Sequence, residues 1–273
     1  MKPARFHYVK ATSVPHALEQ LDEETKLIAG GQSLLPIMNL RMATPERLVD
    51  IDALHELDRV VVAGSELLIG ALARHDRLVR DPQVSREAPL LAAAARHIGH
   101  VAIRNRGTLG GSLAHADPTA ELPAATVALR ASIICDRADG RRRELPAEDF
   151  FQGRYTTALE PDEMVTWVRL PLSKVTGWGF HEVAPREGDF AWAGACVVRE
   201  TAPDALRVVV FGVESIPRRF DLDLPVVEDH LAWSRELAQG LEPTEDPAFR
   251  RDLATEMIRR ATLAAVEGGH GRG

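Results

Sequence analysis

The sequence has 273 residues and a formal net charge of −7, with 45% hydrophobic and 5% aromatic residues. This length allows one large domain or two ordinary ones whose core needs no disulfide or metal. The mild negative charge argues against nucleic acid or an anionic membrane surface as a partner. No apolar run reaches the roughly 18 residues of a membrane-spanning helix, and the first residues lack the apolar core of a secretory signal. We therefore expect a cytoplasmic protein without a transmembrane segment.

The first part of the chain predicts a small βαβ-like unit that ends near residue 57. Helical spacing of apolar residues at 14–24 precedes a short apolar strand at 25–30. The segment 34–41 indicates a helical turn or loop, and a further strand is predicted within 46–54.

The second part, from about residue 58 to 173, predicts an antiparallel sheet with helices. The alanine-rich segment 86–100 and the segment 123–131 are predicted helices, and Pro123 suits the first turn of the latter. Asp139-Gly140 is typical of a hairpin turn. The predicted strands are 59–64, 65–74, 131–137, 141–146 and 162–172.

The third part, residues 178–273, predicts a smaller domain with a three-stranded sheet and two helices. The strands are 179–184, 190–200 and 205–213, and the amphipathic helices are 228–241 and 246–267. The tail 268–273 is expected to be disordered. The predicted fold class is α+β, with 1–173 and 178–273 as the two domains and a boundary in the segment between them.

The two cysteines, Cys135 and Cys196, each lie in an apolar stretch, so we expect both to be buried and unreactive. Two cysteines cannot hold an iron–sulfur cluster, which takes four such ligands or a close substitute. None of the ten histidines has metal-ligand spacing to cysteine or carboxylate, so no metal is expected. No G-x-G-x-x-G follows a predicted strand. Redox chemistry in this chain would therefore need a different kind of cofactor site.

Two glycine pairs with similar surroundings occur eighty residues apart, in AGGQS (29–33) and TLGGS (108–112). A glycine pair lets successive backbone N–H groups point into one concavity and lets a ligand approach the main chain closely. Such loops suit a pyrophosphate, although two ordinary tight turns would leave the same pattern.

Four longer stretches resemble the FAD-binding medium subunit of the molybdenum hydroxylases. This family includes bacterial carbon monoxide dehydrogenase, and its FAD domain recurs in xanthine dehydrogenase. The resemblance implies a FAD-binding domain of two α/β subdomains (PCMH type), divided near residue 57, and a small C-terminal sheet-and-helix domain. The matching stretches are 29–41, 108–124, 149–171 and 181–198.

The resemblance also implies which residues contact the flavin cofactor. The two glycine loops would hold the pyrophosphate and ribityl chain, and Glu121 would accept hydrogen bonds from sugar hydroxyls, unless it serves only to start a helix. Phe190 would stack on the flavin ring, the alternative being an inward-facing strand residue. The implied cofactor-binding residues are Ala29, Gly30, Gly31, Gln32, Ser33, Leu34, Leu35, Ile98, Thr108, Gly110, Gly111, Ser112, Glu121, Val165, His181, Asp189 and Phe190.

The charged residues near these positions are not expected to contact the cofactor. Relatives often carry a lysine near His181 or Glu182, and this chain has none there. For Arg104 and Arg106, which flank the second glycine loop, we favour solvent exposure over phosphate contact. The run 141–143 is expected to face water or a partner subunit.

The resemblance implies an electron-transfer role. Substrate would be oxidised at a molybdopterin centre on a large subunit, and electrons would cross two [2Fe–2S] clusters on a small subunit to this chain's FAD and then to an external acceptor. The assembly would be a heterotrimer or its dimer, and no residue of this chain is expected to be catalytic. Two alternatives remain open: a stand-alone FAD-dependent oxidase or reductase with its own substrate site, and a scaffold that has lost FAD.

Overall fold

The computed structural model describes residues 2–172, 175–201, 204–223 and 230–267. Its N-terminal part contains a three-stranded parallel sheet in the order β1-β3-β2, followed by a 3₁₀ helix at His55–Leu57. The predicted βαβ unit is confirmed, but β1 was not predicted. The elements are β1 (His7–Lys10), α1 (Val14–Glu19), β2 (Thr25–Ile28), α2 (Leu34–Asn39) and β3 (Arg47–Asp50).

The second part forms a five-stranded antiparallel sheet in the order β4-β5-β10-β6-β7, with helices packed against it. The predicted helix at 86–100 is confirmed over Pro89–His97, but it begins later than predicted, because Asp81 caps a separate short helix and the chain breaks at Ala88 between the two. The elements are β4 (Val60–Ala63), β5 (Glu66–Gly70), α3 (His75–Arg80), α4 (Pro82–Glu87), α5 (Pro89–His97), α6 (Val101–Arg104), α7 (Leu109–His115), α8 (Glu121–Ala128), β6 (Ser132–Arg137), β7 (Arg142–Pro146), α9 (Ala147–Phe150), β8 (Phe151–Gly153), β9 (Thr156–Thr157) and β10 (Glu163–Pro171).

The C-terminal sheet is antiparallel in the order β11-β12-β13-β14, with four strands where three were predicted. The α+β class is confirmed. β11 already begins at Val175, so a domain starting at 178 would cut a strand, and we propose a division near 173 instead. The predicted disordered tail lies outside the described residues. The elements are β11 (Val175–Val183), β12 (Ala193–Thr201), β13 (Asp204–Phe211), β14 (Arg218–Asp223), α10 (His230–Gln239) and α11 (Pro247–Glu267).

The C-terminal sheet is covered on both faces, and its side chains alternate accordingly. Phe180, Cys196 and Phe211 point into the core shared with α5 and α8, whereas Ala195 and Val208 point toward α10 and α11. Every residue of α8 is buried, because this helix lies between the second part of the chain and the C-terminal sheet. The two parts therefore share one continuous apolar core rather than being joined by a loose linker.

Both cysteines are buried and unpaired, as predicted. Burial raises the pKa of the Cys135 thiol to about 12 and that of Cys196 well above its ordinary value, so neither is a thiolate at neutral pH. Among the described residues, no helix has the length and apolar character needed to cross a bilayer.

Glycines allow α11 to pack directly on β11. A Cβ at Gly179 would overlap the carbonyl oxygen of Ala261, which is backbone and cannot move aside alone. We expect Gly179→Ala to lower the free energy of unfolding by about 3 kcal/mol, the upper end of the overpacking range. Chemical denaturation checks this, with Gly153→Ala as the control because its Cβ would meet its nearest neighbour, Thr156, at 3.7 Å. Equal destabilisation of the two variants would contradict the prediction.

Candidate flavin site

The first glycine loop, between β2 and α2, leaves a run of main-chain donors unused. Among the described residues, the N–H groups of 30–34 have no protein acceptor, and the side chain of Ser33 does not cap α2. The φ of Gly31 is +71°, a left-handed conformation that favours glycine. Successive N–H groups around such a residue form an anion-binding concavity. Five consecutive amide donors are therefore available to an anionic ligand at this loop.

The second glycine pair lies in the first turn of α7, where its amides are already engaged. The N–H of Leu109 donates to Ala73, that of Gly110 donates to the carbonyl of Ala71 at 2.7 Å, and that of Gly111 donates to Oγ1 of Thr108 at 3.2 Å. The expectation that both pairs present free N–H groups is therefore wrong for the second pair. Its helix start is satisfied within the protein by the Thr108 cap.

The two members of the second pair also differ in what surrounds them. A Cβ at Gly110 would lie 2.5 Å from the Cβ of Ala71, so this glycine permits α7 to pack against the chain that follows β5. Gly111 is exposed, and a Cβ there would approach only Oγ1 of Thr108, at 2.8 Å. Only Gly111 is open to a ligand; Gly110 is a packing residue.

The two loops lie against each other, although eighty residues separate them in sequence. A Cβ at Gly30 would overlap the carbonyl of Arg106, and the nitrogen of Gly107 lies 3.0 Å from the same point. Arg74 donates hydrogen bonds to this Arg106 carbonyl and to the carboxylate of Asp52. Arg74 thus ties the segment after β3 to the second loop, and the concavity of 30–34 lies next to α7.

A buried histidine is hydrogen-bonded to the main chain of the second glycine loop. His75 is 6% exposed, and its Nε2 lies 3.0 Å from the carbonyl oxygen of Thr108. Burial lowers the pKa of His75 to about 4, so the ring is neutral at neutral pH and can donate this hydrogen bond. A Cβ at Gly107 would come within 2.7 Å of the same ring.

Several predicted residues meet where the second part of the chain faces the C-terminal sheet. Ile98 is the C-cap residue of α5, and a Cβ at Gly188, in the loop between β11 and β12, would lie 3.1 Å from the main chain of the adjoining Gly99. Asp189 and Phe190 follow in that loop, and the ring of Phe190 is 74% exposed. Phe190 is not an inward-facing strand residue, which removes the alternative interpretation of this aromatic side chain. We call this junction of 97–99 with 182 and 188–190 the seam.

Glu121 lies beside the seam as the first residue of α8. Its carboxyl is 8% exposed, and burial, then the nearby Glu182, raises its pKa to about 8. At neutral pH Glu121 is therefore mostly protonated and can donate as well as accept a hydrogen bond. Both suggested roles, helix start and polar contact, remain compatible with this position.

Two predicted residues are not presented to the seam by their side chains. His181 follows Gly177 and Gly179 on the face of β11 that packs on α11. Burial lowers the pKa of His181, and Arg260 of that helix and His97 lower it further. Glu182, the next residue, faces the seam instead. Val165 is 5% exposed within β10, opposite Cys135, so only its main chain is left for a ligand.

The arginines near these positions are mostly engaged within the protein. Nη1 of Arg104 donates to the carbonyls of Ile98 and Gly99 at 3.0 and 2.8 Å and so fixes the seam loop, rather than being solvated. Arg106 is largely exposed, with its guanidinium 4.0 Å from Asp52. The side chains of Arg141 and Arg142 are 70% and 59% exposed, so the expectation that this run faces water is confirmed for them, and Arg143 is half-buried. Each of the three also pairs with a carboxylate of this chain, namely Asp139, Asp136 and Glu163 in that order.

Sequence reasoning did not identify Arg74, His75, His97 or Glu182. Each matters through a partner that is remote in sequence, such as the 3.3 Å pair of His97 Nδ1 and Glu182 Oε1. No local motif marks such pairs. The one sequence observation that pointed to this region was the absence of the lysine that relatives often carry near Glu182.

The unused amides of 30–34 beside the second glycine loop form a site suited to an anionic ligand. Comparison with known proteins defines the class of protein. Residues 4–173 match the family model described as the FAD-binding domain in molybdopterin dehydrogenase. The chain is 38% identical over 287 aligned residues to the caffeine dehydrogenase subunit beta of Pseudomonas sp. strain CBB1, covering 98% of this chain and 97% of that protein.

Solved structures agree with this match. A chain of the carbon monoxide dehydrogenase from Hydrogenophaga pseudoflava that lacks the Mo-pyranopterin moiety superposes with a TM-score of 0.92 at 36% identity, covering 98% of this chain and 99% of that one. Quinoline 2-oxidoreductase from Pseudomonas putida 86 gives a TM-score of 0.89 at 34% identity with the same coverage. The chain therefore belongs to the FAD-binding medium subunits of the molybdenum hydroxylases. It is a flavoprotein subunit of an oxidoreductase, and FAD is its cofactor.

Proposed function

We propose that this chain carries electrons through its FAD from a partner subunit to an external acceptor. FAD supplies the redox chemistry, because it can accept electrons and pass them on, while the protein binds and orients it. Relatives of this chain are named as a subunit or a medium chain of a dehydrogenase, and one is named as a subunit of a dehydrogenase complex. We therefore propose a large molybdopterin-binding subunit and a small [2Fe–2S] subunit as its partners.

The observation that carries the proposal is the run of unused amide donors at 30–34. A pyrophosphate offers several acceptor oxygens and negative charge, which this concavity of N–H donors complements. Gly111 would allow close approach of the cofactor from the α7 side, and the hydroxyl of Ser112 adds a donor. The protein presents this site without needing a metal or a charged side chain buried under the phosphates.

The remaining predicted residues extend the proposed site toward the seam. Ile98 and the exposed ring of Phe190 would bound the flavin ring on the side of the C-terminal sheet, and Glu121 would meet its polar groups. Each of these three residues comes from a different element, so the folded seam, rather than any one loop, would exclude water from the ring. No side chain here has to act as a general acid or base.

Purification of the chain together with its partners tests this function. We expect one FAD for each copy of this chain, with molybdenum and iron found only when the partners are present. When the substrate of the complex reduces its iron–sulfur clusters, removal of FAD should leave that reduction intact and block transfer to the acceptor. Turnover of a substrate by the FAD-loaded chain alone would instead support a stand-alone oxidase or reductase.

A further inference from the structure

Glu182 is a buried carboxylate with one unused oxygen. Its side chain is 7% exposed, and Oε1 lies 3.3 Å from Nδ1 of His97. Its other oxygen, Oε2, is buried and has no hydrogen-bond partner among the described residues. An unsatisfied buried carboxylate oxygen is costly, so a position that keeps one is a strong candidate for contact with a ligand donor.

Among the described residues, no neighbouring group is hydrogen-bonded to this oxygen. Glu121 and the Cys196 thiol lie near enough for their pKa values to be raised by the Glu182 carboxylate, but neither bonds to it. Asp117 accepts from the N–H and hydroxyl of Thr119 at 2.9 and 2.7 Å, and its other oxygen faces Tyr155. On the remaining side the ring of His97 packs against Phe180, with centroids 4.8 Å apart.

The position of Glu182 links it to the seam. Its partner His97 directly precedes Ile98, and the carbonyls of Ile98 and Gly99 are held by Arg104. Gly188, six residues after Glu182, contacts Gly99. The carboxylate therefore joins the second part of the chain to the C-terminal sheet at the place where the flavin ring is proposed to lie.

We propose that Glu182 is a flavin-positioning residue whose Oε2 accepts a hydrogen bond from the cofactor while His97 holds the carboxylate from the other side. The inference rests on the proposed function, since it assumes that FAD occupies the seam. Flavins offer suitable donors in the N–H of the ring and the hydroxyls of the ribityl chain, whereas an adenine nucleotide without the flavin half has neither at this place. The contact thus distinguishes the flavin half of the cofactor from its nucleotide half.

Binding of FAD and of ADP to the full chain, freed of FAD, tests the proposal. We expect Glu182→Met, which keeps length and removes the acceptor, to weaken FAD binding by about tenfold or more. The same variant should leave ADP binding unchanged, because ADP reaches only the glycine loop. Glu187→Met, in the exposed loop after β11, is the matched control and should bind both ligands as the wild type does.

The comparison of two ligands separates positioning from damage to the fold. Equal weakening of FAD and ADP in Glu182→Met, or unchanged FAD binding, would overturn the proposal. If Glu182→Met does not fold, the same comparison of FAD and ADP binding is made with His97→Phe. This variant preserves the ring packing against Phe180 and removes the nitrogen that orients the Glu182 carboxylate. A wild-type chain that binds neither ligand would instead contradict the proposed function itself.

Discussion

Replacing Gly111 by valine is expected to abolish retention of FAD while the FAD-free chain still folds. Gly111 is exposed, and among protein atoms its Cβ would approach only the Oγ1 of Thr108. The added side chain would occupy the space through which the cofactor is proposed to reach the amides of 30–34. Flavin absorbance after gel filtration measures retention, and the unfolding temperature of the FAD-free protein measures folding.

Gly110→Ala is the matched comparison and should behave in the opposite way. Its Cβ would lie 2.5 Å from that of Ala71, so we expect a loss of about 2 kcal/mol in the free energy of unfolding. Protein that still folds should retain FAD, because the N–H of Gly110 is already bonded to Ala71. Full flavin content in Gly111→Val, or flavin loss in folded Gly110→Ala, would contradict this division of roles.

The second large effect concerns the pH dependence of stability at Glu121. Burial and the facing Glu182 raise its pKa from 4.5 to about 8, so the folded state disfavours the ionised form. Stability from the protonated carboxyl is complete below pH 4.5 and is lost as the pH rises to about 8. The groups that face it from other elements are Glu182, Asp117 and Cys196.

Glu121→Gln removes this titration. We expect the free energy of unfolding of the variant, relative to wild type, to rise between about pH 5 and about pH 8 by about 3 kcal/mol and then to level off. Chemical denaturation of the FAD-free chain across this range measures the difference. Glu187→Gln, at an exposed position, should show no such rise. Parallel curves for wild type and Glu121→Gln would show that Glu121 is ionised in the folded state.

The sequence predicted the long, strongly patterned elements and missed the short polar ones. β10 and β12 are nine residues long and largely buried, so their composition was sufficient to identify them. β14 has the sequence RRFDLD, and β1 has only four residues, of which Val9 is half-buried and the other three are exposed, so neither carries an apolar pattern. Both lie at sheet edges, where pairing to one neighbour, rather than burial, makes the strand.

The candidate site was predictable as far as its glycines and not beyond. The pairs at 30–31 and 110–111 mark close approaches of the main chain, but sequence does not show whether protein or ligand fills the space. For Gly110 the neighbour is Ala71 and for Gly30 it is Arg106, contacts between distant segments that only folding creates. The pair of His97 and Glu182 likewise depends on two elements meeting across the seam.

Hydrogen exchange of the backbone amides, with and without FAD, tests the central claim most directly. The amides of 30–34 have no acceptor in the part of the chain that the structure describes, so they should exchange rapidly in the FAD-free chain and become protected when FAD binds. The amides of 109–111 are already bonded within the protein and should change little. Protection confined to 109–111, or no change at 30–34 on FAD binding, would contradict the account.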